Sequence, residues 1–187
     1  PAASHGQGRT NLTTVIAHAG VDGALIKTAA VRLALGATDT YSGGTTIAGG
    51  TLQLGNGGTK GDAGTGAIAD NATLVLNRSD DITLANAVSG TGSLTKAGTN
   101  TVILTAKNTY SGGTTINSGT LQIGNGGTSG SIEGDIEDNG ILTFDRSDAF
   151  TVVGAVSGVG SMRQIGPGTT VLIGSNTNSG GLWISAG

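Results

Sequence analysis

Residues 40–59 read TYSGGTTIAGGTLQLGNGGT, and residues 109–128 read TYSGGTTINSGTLQIGNGGT. Seventeen of the twenty positions are identical, at an offset of 69 residues. The likeness runs on: Asp70-Asn71 returns as Asp138-Asn139, Arg78-Ser79-Asp80 as Arg146-Ser147-Asp148, and Ala87-Val88-Ser89-Gly90 as Ala155-Val156-Ser157-Gly158, now at an offset of 68. One residue is therefore lost after the Gly-Asn-Gly-Gly corner. A third copy opens at Thr177-Asn178-Ser179-Gly180-Gly181. Before the first, Gly23-Ala24-Leu25-Ile26-Lys27 matches Gly92-Ser93-Leu94-Thr95-Lys96 and Gly160-Ser161-Met162-Arg163-Gln164. The chain divides accordingly into a degenerate part (23–39), two full units (40–108 and 109–176) and a truncated copy (177–187), all within one segment, 1–187. A long internal period of this kind signals a stacked or radial repeat architecture.

Within a unit the apolar residues come in short alternating bursts bounded by Gly, Asn, Asp or Ser, as in Thr114-Thr115-Ile116, Thr120-Leu121-Gln122-Ile123 and Thr101-Val102-Ile103-Leu104. A period of two sends Leu52 and Leu54 to one side and Thr51 and Gln53 to the other. No window carries a helical stripe, and glycine would penalise helix by about 1 kcal/mol per site. The fold is expected to be all-β. A propeller blade or an immunoglobulin-like sandwich suits neither the period nor the scarcity of aromatics, two Tyr, two Phe and one Trp in 187 residues. Dividing 69 by three gives 23 residues per coil, the size of one turn of a parallel β-helix, so the chain should make about eight coils with three coils per 68–69-residue repeat. Inward Leu, Ile and Val would stack coil on coil, and Gly would supply the corners.

Composition agrees and excludes alternatives. With 36 Gly but only 2 Pro and no three-residue register, collagen fails; with 36% hydrophobic and 11% charged residues, so does disorder. A net charge of −3 with scattered basic residues argues against nucleic acid as a partner. No apolar run is long enough to span a membrane as a helix. Residues 1–20 do not read as a signal peptide, and a start on Pro1 suggests a mature or excised segment. The absence of Cys excludes disulfides.

The unit GSLTKAGTNTVILTAKNTYSGGTTINSGTLQIGNGG, from Gly92 to Gly127, resembles the passenger-associated transport repeat of bacterial autotransporter proteins. It shares the Gly-Ser-Leu-Thr-Lys opening, the Asn-Thr-Tyr-Ser-Gly-Gly-Thr-Thr-Ile centre and the Gly-Thr-Leu-Gln close. The repeat-motif positions are Tyr41, Gly43, Gly44, Thr46, Ile47, Leu52 and Leu54, and again Tyr110, Gly112, Gly113, Thr115, Ile116, Leu121 and Ile123. The resemblance implies a right-handed parallel β-helix, exported through the periplasm and outer membrane and displayed on or released from the cell surface. It implies as partners the rest of the passenger and a C-terminal outer-membrane barrel. The last copy departs from the motif, with Asn178 in place of tyrosine and Leu182-Trp183 in place of Thr-Thr.

Several clusters carry side chains capable of chemistry. Arg78, Asp80 and Asp81, and Asp145, Arg146 and Asp148, recur with the repeat, which a unique active site would not do; they read as solvated turn ion pairs. Glu133, Asp135, Glu137 and Asp138 form the densest acidic segment and read as a surface loop, with calcium as the alternative. The Gly55–Asp62 stretch reads as a corner rather than a calcium nonapeptide. His5 and His18 have no ligand-spaced partner, and Asn11 and Asn71 head incidental glycosylation sequons. No cofactor, metal or catalytic residue is expected. Thr46, Thr115 and Trp183 occupy equivalent outward places if Ile47, Ile116 and Ile184 point inward. Trp183 then either contacts a partner or covers a following coil. The functional reading is a non-enzymatic stalk of a surface adhesin that promotes passenger folding and transport, with a host-cell or self-association partner. The alternative is a β-helical polysaccharide-degrading enzyme.

Overall fold

A computed structural model describes residues 10–12 and 23–187. Every regular element in it is a β-strand of two to four residues, and every strand pair is parallel. The strands stack into three faces of a solenoid of about eight turns. Face 1 holds eight strands, Thr10–Leu12, Arg32–Leu35, Thr51–Leu54, Thr73–Leu76, Ser93–Lys96, Thr114–Ile116, Ile136–Asp138 and Val156–Ser157. Face 2 runs through Leu25–Lys27, Thr45–Ile47, Ile68–Asp70, Val88–Gly90 and Thr109–Tyr110. The bridge Lys107↔Ser131 and the pair Phe150–Val152 with Thr170–Leu172 follow it along the chain. Face 3 begins at Ile82–Leu84 and continues through Thr101–Leu104, Thr120–Ile123, Ile141–Phe144, Ser161–Gln164 and Leu182–Ile184.

The expected all-β parallel solenoid is thus present, and alternation places the side chains as anticipated. Leu33, Leu52, Leu74 and Leu94 stand in register on face 1, and Val102, Leu121, Leu142 and Met162 on face 3. Leu52, Leu54, Leu74, Leu94, Leu121 and Ile123 are fully buried, each contributing about 1.5–3 kcal/mol.

Most coils are shorter than the 23 residues expected, a length that Thr45↔Ile68 does span. Leu94 lies opposite Leu74 and Thr114, 20 residues away on either side, while Arg32↔Thr51 spans 19 and Thr51↔Thr73 spans 22. A 69-residue unit therefore occupies three coils and about a third of a fourth. Each repeat is turned by one face relative to the last. Thr45–Ile47 sits on face 2, its counterpart Thr114–Ile116 on face 1, and Leu182–Ile184 on face 3. The physical reason is that turns between strands differ in length from corner to corner, whereas only the strands are held in register by hydrogen bonds.

Candidate functional site

The repeat motif builds two kinds of corner. At the first, Tyr41 and Tyr110 are buried, and each phenol hydroxyl pairs with a threonine hydroxyl four residues on, Thr45 and Thr114, at 2.7 Å. Burial raises both phenols, Tyr41 to about 12. The neighbouring Gly43 and Gly112 donate their N–H to the carbonyls of Gly23 and Gly92 one coil away, at 2.8 and 3.0 Å. Gly44 and Gly113 adopt φ of +87° and +82°, which favours glycine.

At the second corner an arginine closes the Gly-Asn-Gly-Gly loop of the preceding coil. The Arg146 Nε and Nη2 donate to both carboxylate oxygens of Asp148, at 2.9 and 2.7 Å, Nη2 also to the carbonyl of Thr128 at 2.7 Å, and Nη1 to that of Gly130. Arg78 makes the same set with Asp80, Thr59 and Gly61. The sequence expectation for both is a solvated turn ion pair. Instead the guanidinium is consumed as a buried plug for loop carbonyls, Arg146 being 8% exposed and stacked 4.9 Å from the Phe150 ring centroid. The hydrogen-bonded arginines hold Asp80 and Asp148 below the usual carboxylate range.

Buried charge is the feature that the sequence reading missed. Lys96 and Asp138 are fully buried, as are Asp70 and, nearly so, Lys27. The Lys96 ammonium donates to the carbonyls of Gly98 and Ser118, and burial pushes it down to about 8. Asp70 accepts from Ala72 N–H and Asp138 from Gly140 N–H, both at 3.0 Å, and burial raises both carboxyls. Asp138 is therefore not part of a surface acidic loop; Glu133, Asp135 and Glu137 are exposed, and Asp135 accepts from Ala155 N–H at 2.9 Å. The signal was available, because the alternation that turns Leu94 and Ile136 inward turns Lys96 and Asp138 inward with them. Among the described residues no group of three metal-ligating side chains comes together. His5 and His18 lie outside those residues.

An open groove of about 620 Å³ runs past Asp39, Asp62, Arg78, Asp80, Asp81 and Asn86. Its polar groups are tied internally: Asp62 accepts from Asp39 N–H at 2.7 Å, and the Asn86 amide donates to the carbonyls of Gly64 and Gly66. In the second copy Asn108 and Ser131 stand at the places of Asp39 and Asp62, and Asn108 N–H donates to Ser131 Oγ at 3.2 Å. Neutral residues thus serve the same contact.

Thr46 and Thr115 are half-buried on faces 2 and 1, with Ile47 and Ile116 fully buried beneath them. Trp183 is 65% exposed on face 3, in register with Arg163. Ile184 takes the inward position opposite Gln164 but is 69% exposed, since no described coil lies over it. The three equivalent positions therefore point to three sides of the rod rather than to one.

A parallel β-solenoid stacked from such clamped corners defines a repeat-built rod. The passenger-associated-transport-repeat family matches residues 25–54, 94–123 and 162–187, the strands and corners just described. The chain belongs to the autotransporter passengers that carry these repeats, proteins of the cell surface or the secreted space. It is 39% identical over 160 residues to the adhesin BmaC autotransporter of Brucella suis biovar 1 (strain 1330). That alignment covers 75% of this chain and 5% of the adhesin's length. No solved structure matches the chain.

Proposed function

We propose that this segment is a non-enzymatic stalk within a surface adhesin, and that its repeats promote folding of the passenger as it emerges through the outer membrane. The observation that carries this reading is the use made of the polar residues. Arg78, Arg146, Lys96, Asp70 and Asp138 are all spent on corners, holding carbonyls and N–H groups of their own coil and of a neighbouring one. A chain threaded through a pore would meet, outside it, a finished coil whose open strand edge accepts the next strand. Each coil added buries several aliphatic side chains, and the free energy of that burial favours outward movement. The absence of Cys suits such threading, since no disulfide can obstruct it.

The partners in this account are the rest of the passenger, a C-terminal outer-membrane barrel in the precursor, and a host-cell surface or a second copy of the chain. Trp183 either contacts such a partner or packs under a further coil. The test is surface display of the intact precursor carrying Leu121→Asp and Ile123→Asp. Display should fall sharply while the precursor still reaches the periplasm; display at the parental level contradicts the folding role. Depolymerisation of a polysaccharide by the purified segment would favour the enzymatic alternative.

A further inference from the structure

Three Asn-Gly steps occur in the sequence, Asn56-Gly57, Asn125-Gly126 and Asn139-Gly140. All three asparagines are exposed. The first two sit at the tips of the arginine-closed loops, where a Cβ on Gly57 or Gly126 would meet nothing within 4 Å. Such a step carries its own reaction, because a glycine nitrogen has no neighbouring side chain to hinder its approach to the asparagine side chain. The nitrogen attacks Cγ, the N–Cγ bond forms and the Cγ–Nδ2 bond breaks. The glycine amide proton passes to solvent base, and the departing nitrogen takes up a proton and leaves as ammonia. Water then opens the cyclic imide at either carbonyl, giving aspartate or its β-linked isomer.

The attacking nitrogen must be free, and in the fold none of the three is. Gly57 N–H donates to Asn77 O and Gly126 N–H to Asp145 O, both at 2.9 Å, while Gly140 N–H donates to Asp138 Oδ1 at 3.0 Å. Asn77 and Asp145 belong to the following coil. Protection of the first two steps therefore arrives only when that coil has stacked. Gly57 and Gly126 adopt φ of +80° and +75°, a turn conformation that favours glycine.

We propose that Asn56, Asn125 and Asn139 are deamidation sites of the unfolded chain, and that coil stacking switches off the first two. A chain that waits too long unfolded is altered chemically at its corners. The β-linked product adds one methylene to the backbone where a loop must close against the next coil, so altered chains stack poorly.

The 187-residue chain is incubated in buffer and in strong urea, with circular dichroism verifying strand structure in the first sample. Peptide mass spectrometry follows the gain in mass at each site. All three sites should convert in urea, and Asn56 and Asn125 should convert at least about tenfold more slowly in the folded chain, since the blocking hydrogen bond must first open. Equal rates at Asn56 or Asn125 in the folded and unfolded samples overturn the proposal. So does an undiminished mass gain, in urea, of the peptide carrying Asn125→Gln.

Discussion

Lys96 and Asp138 stand two coils apart on one inward ladder of face 1, with Ile116 between them. Lys27 and Asp70 repeat the arrangement around Ile47 on face 2. The same sequence positions thus bury the same charges on different sides of the rod, and each charge closes the corner beside it. In the third copy Gln164 takes the lysine's place and donates to Gly166 O at 2.7 Å, as Lys96 does to Gly98 O.

That substitution within the chain predicts the outcome of Lys96→Gln. A lysine lowered from 10.5 to about 8 in the fold penalises the charged form, so stability should rise as pH climbs from about 8 towards 10.5. Lys96→Gln should fold, gain of order 1–3 kcal/mol near neutral pH and lose that alkaline rise. Urea unfolding across this pH range measures it; an unchanged alkaline slope would contradict the assignment.

Asp70 and Asp138 act in the opposite pH direction. Burial raises both carboxyls, opposed in part by backbone N–H groups, and each Oδ2 lacks a hydrogen-bond partner. The ionised form is penalised in the fold, so their contribution improves as pH falls through the raised value and is lost above it. Asp70→Asn and Asp138→Asn should raise the unfolding midpoint at neutral pH and flatten its dependence on the acid side. Thermal melts at a series of pH values give the comparison, and a lower neutral midpoint would refute the expectation.

Arg146 predicts a loss that charge alone does not restore. Arg146→Ala leaves the carbonyls of Gly130 and Thr128 without their donor and removes the partner of Asp148, at a cost of about 2–3 kcal/mol. Arg146→Lys should recover only part of this, because an ammonium cannot span the carboxylate and both carbonyls as the planar fork does. Chemical denaturation separates the two variants; full rescue by lysine would show that the plug is only electrostatic.

Gly92 is paired with Asp70 by space. A Cβ on Gly92 would lie 2.4 Å from the Asp70 Cγ, in the place the buried carboxyl occupies. Gly92→Ala should cost about 1–3 kcal/mol, and Asp70→Ala should relieve much of that cost in the double variant. Additive effects in the double-mutant cycle would mean that the contact does not set the requirement for glycine.

Much of the architecture is legible in the residues themselves. The alternation of Leu52 and Leu54 with Thr51 and Gln53 fixes which side chains turn inward, and Tyr-Ser-Gly-Gly marks a corner by its glycines. Two things were not legible. Gln53 alternates outward yet is only 4% exposed, because Arg32 donates to its amide oxygen at 2.5 Å and its nitrogen donates to Gly55 O at 2.7 Å. The coil length was also hidden, since the repeat gives the distance between like residues and not between stacked ones. Thr115 rests against Thr95 and Glu137, neither of which is its counterpart in another copy.

The turning of each repeat by one face rests on that register, and the chain's lack of cysteine makes it directly testable. Thr95→Cys with Thr115→Cys places two outward cysteines on adjacent strands, about 4.8 Å apart and within disulfide reach. Mild oxidation of the folded double variant should join them in high yield. A coil of 23 residues would displace the pair by three residues, about 10 Å along the strand. A folded double variant whose two thiols stay free would contradict the account.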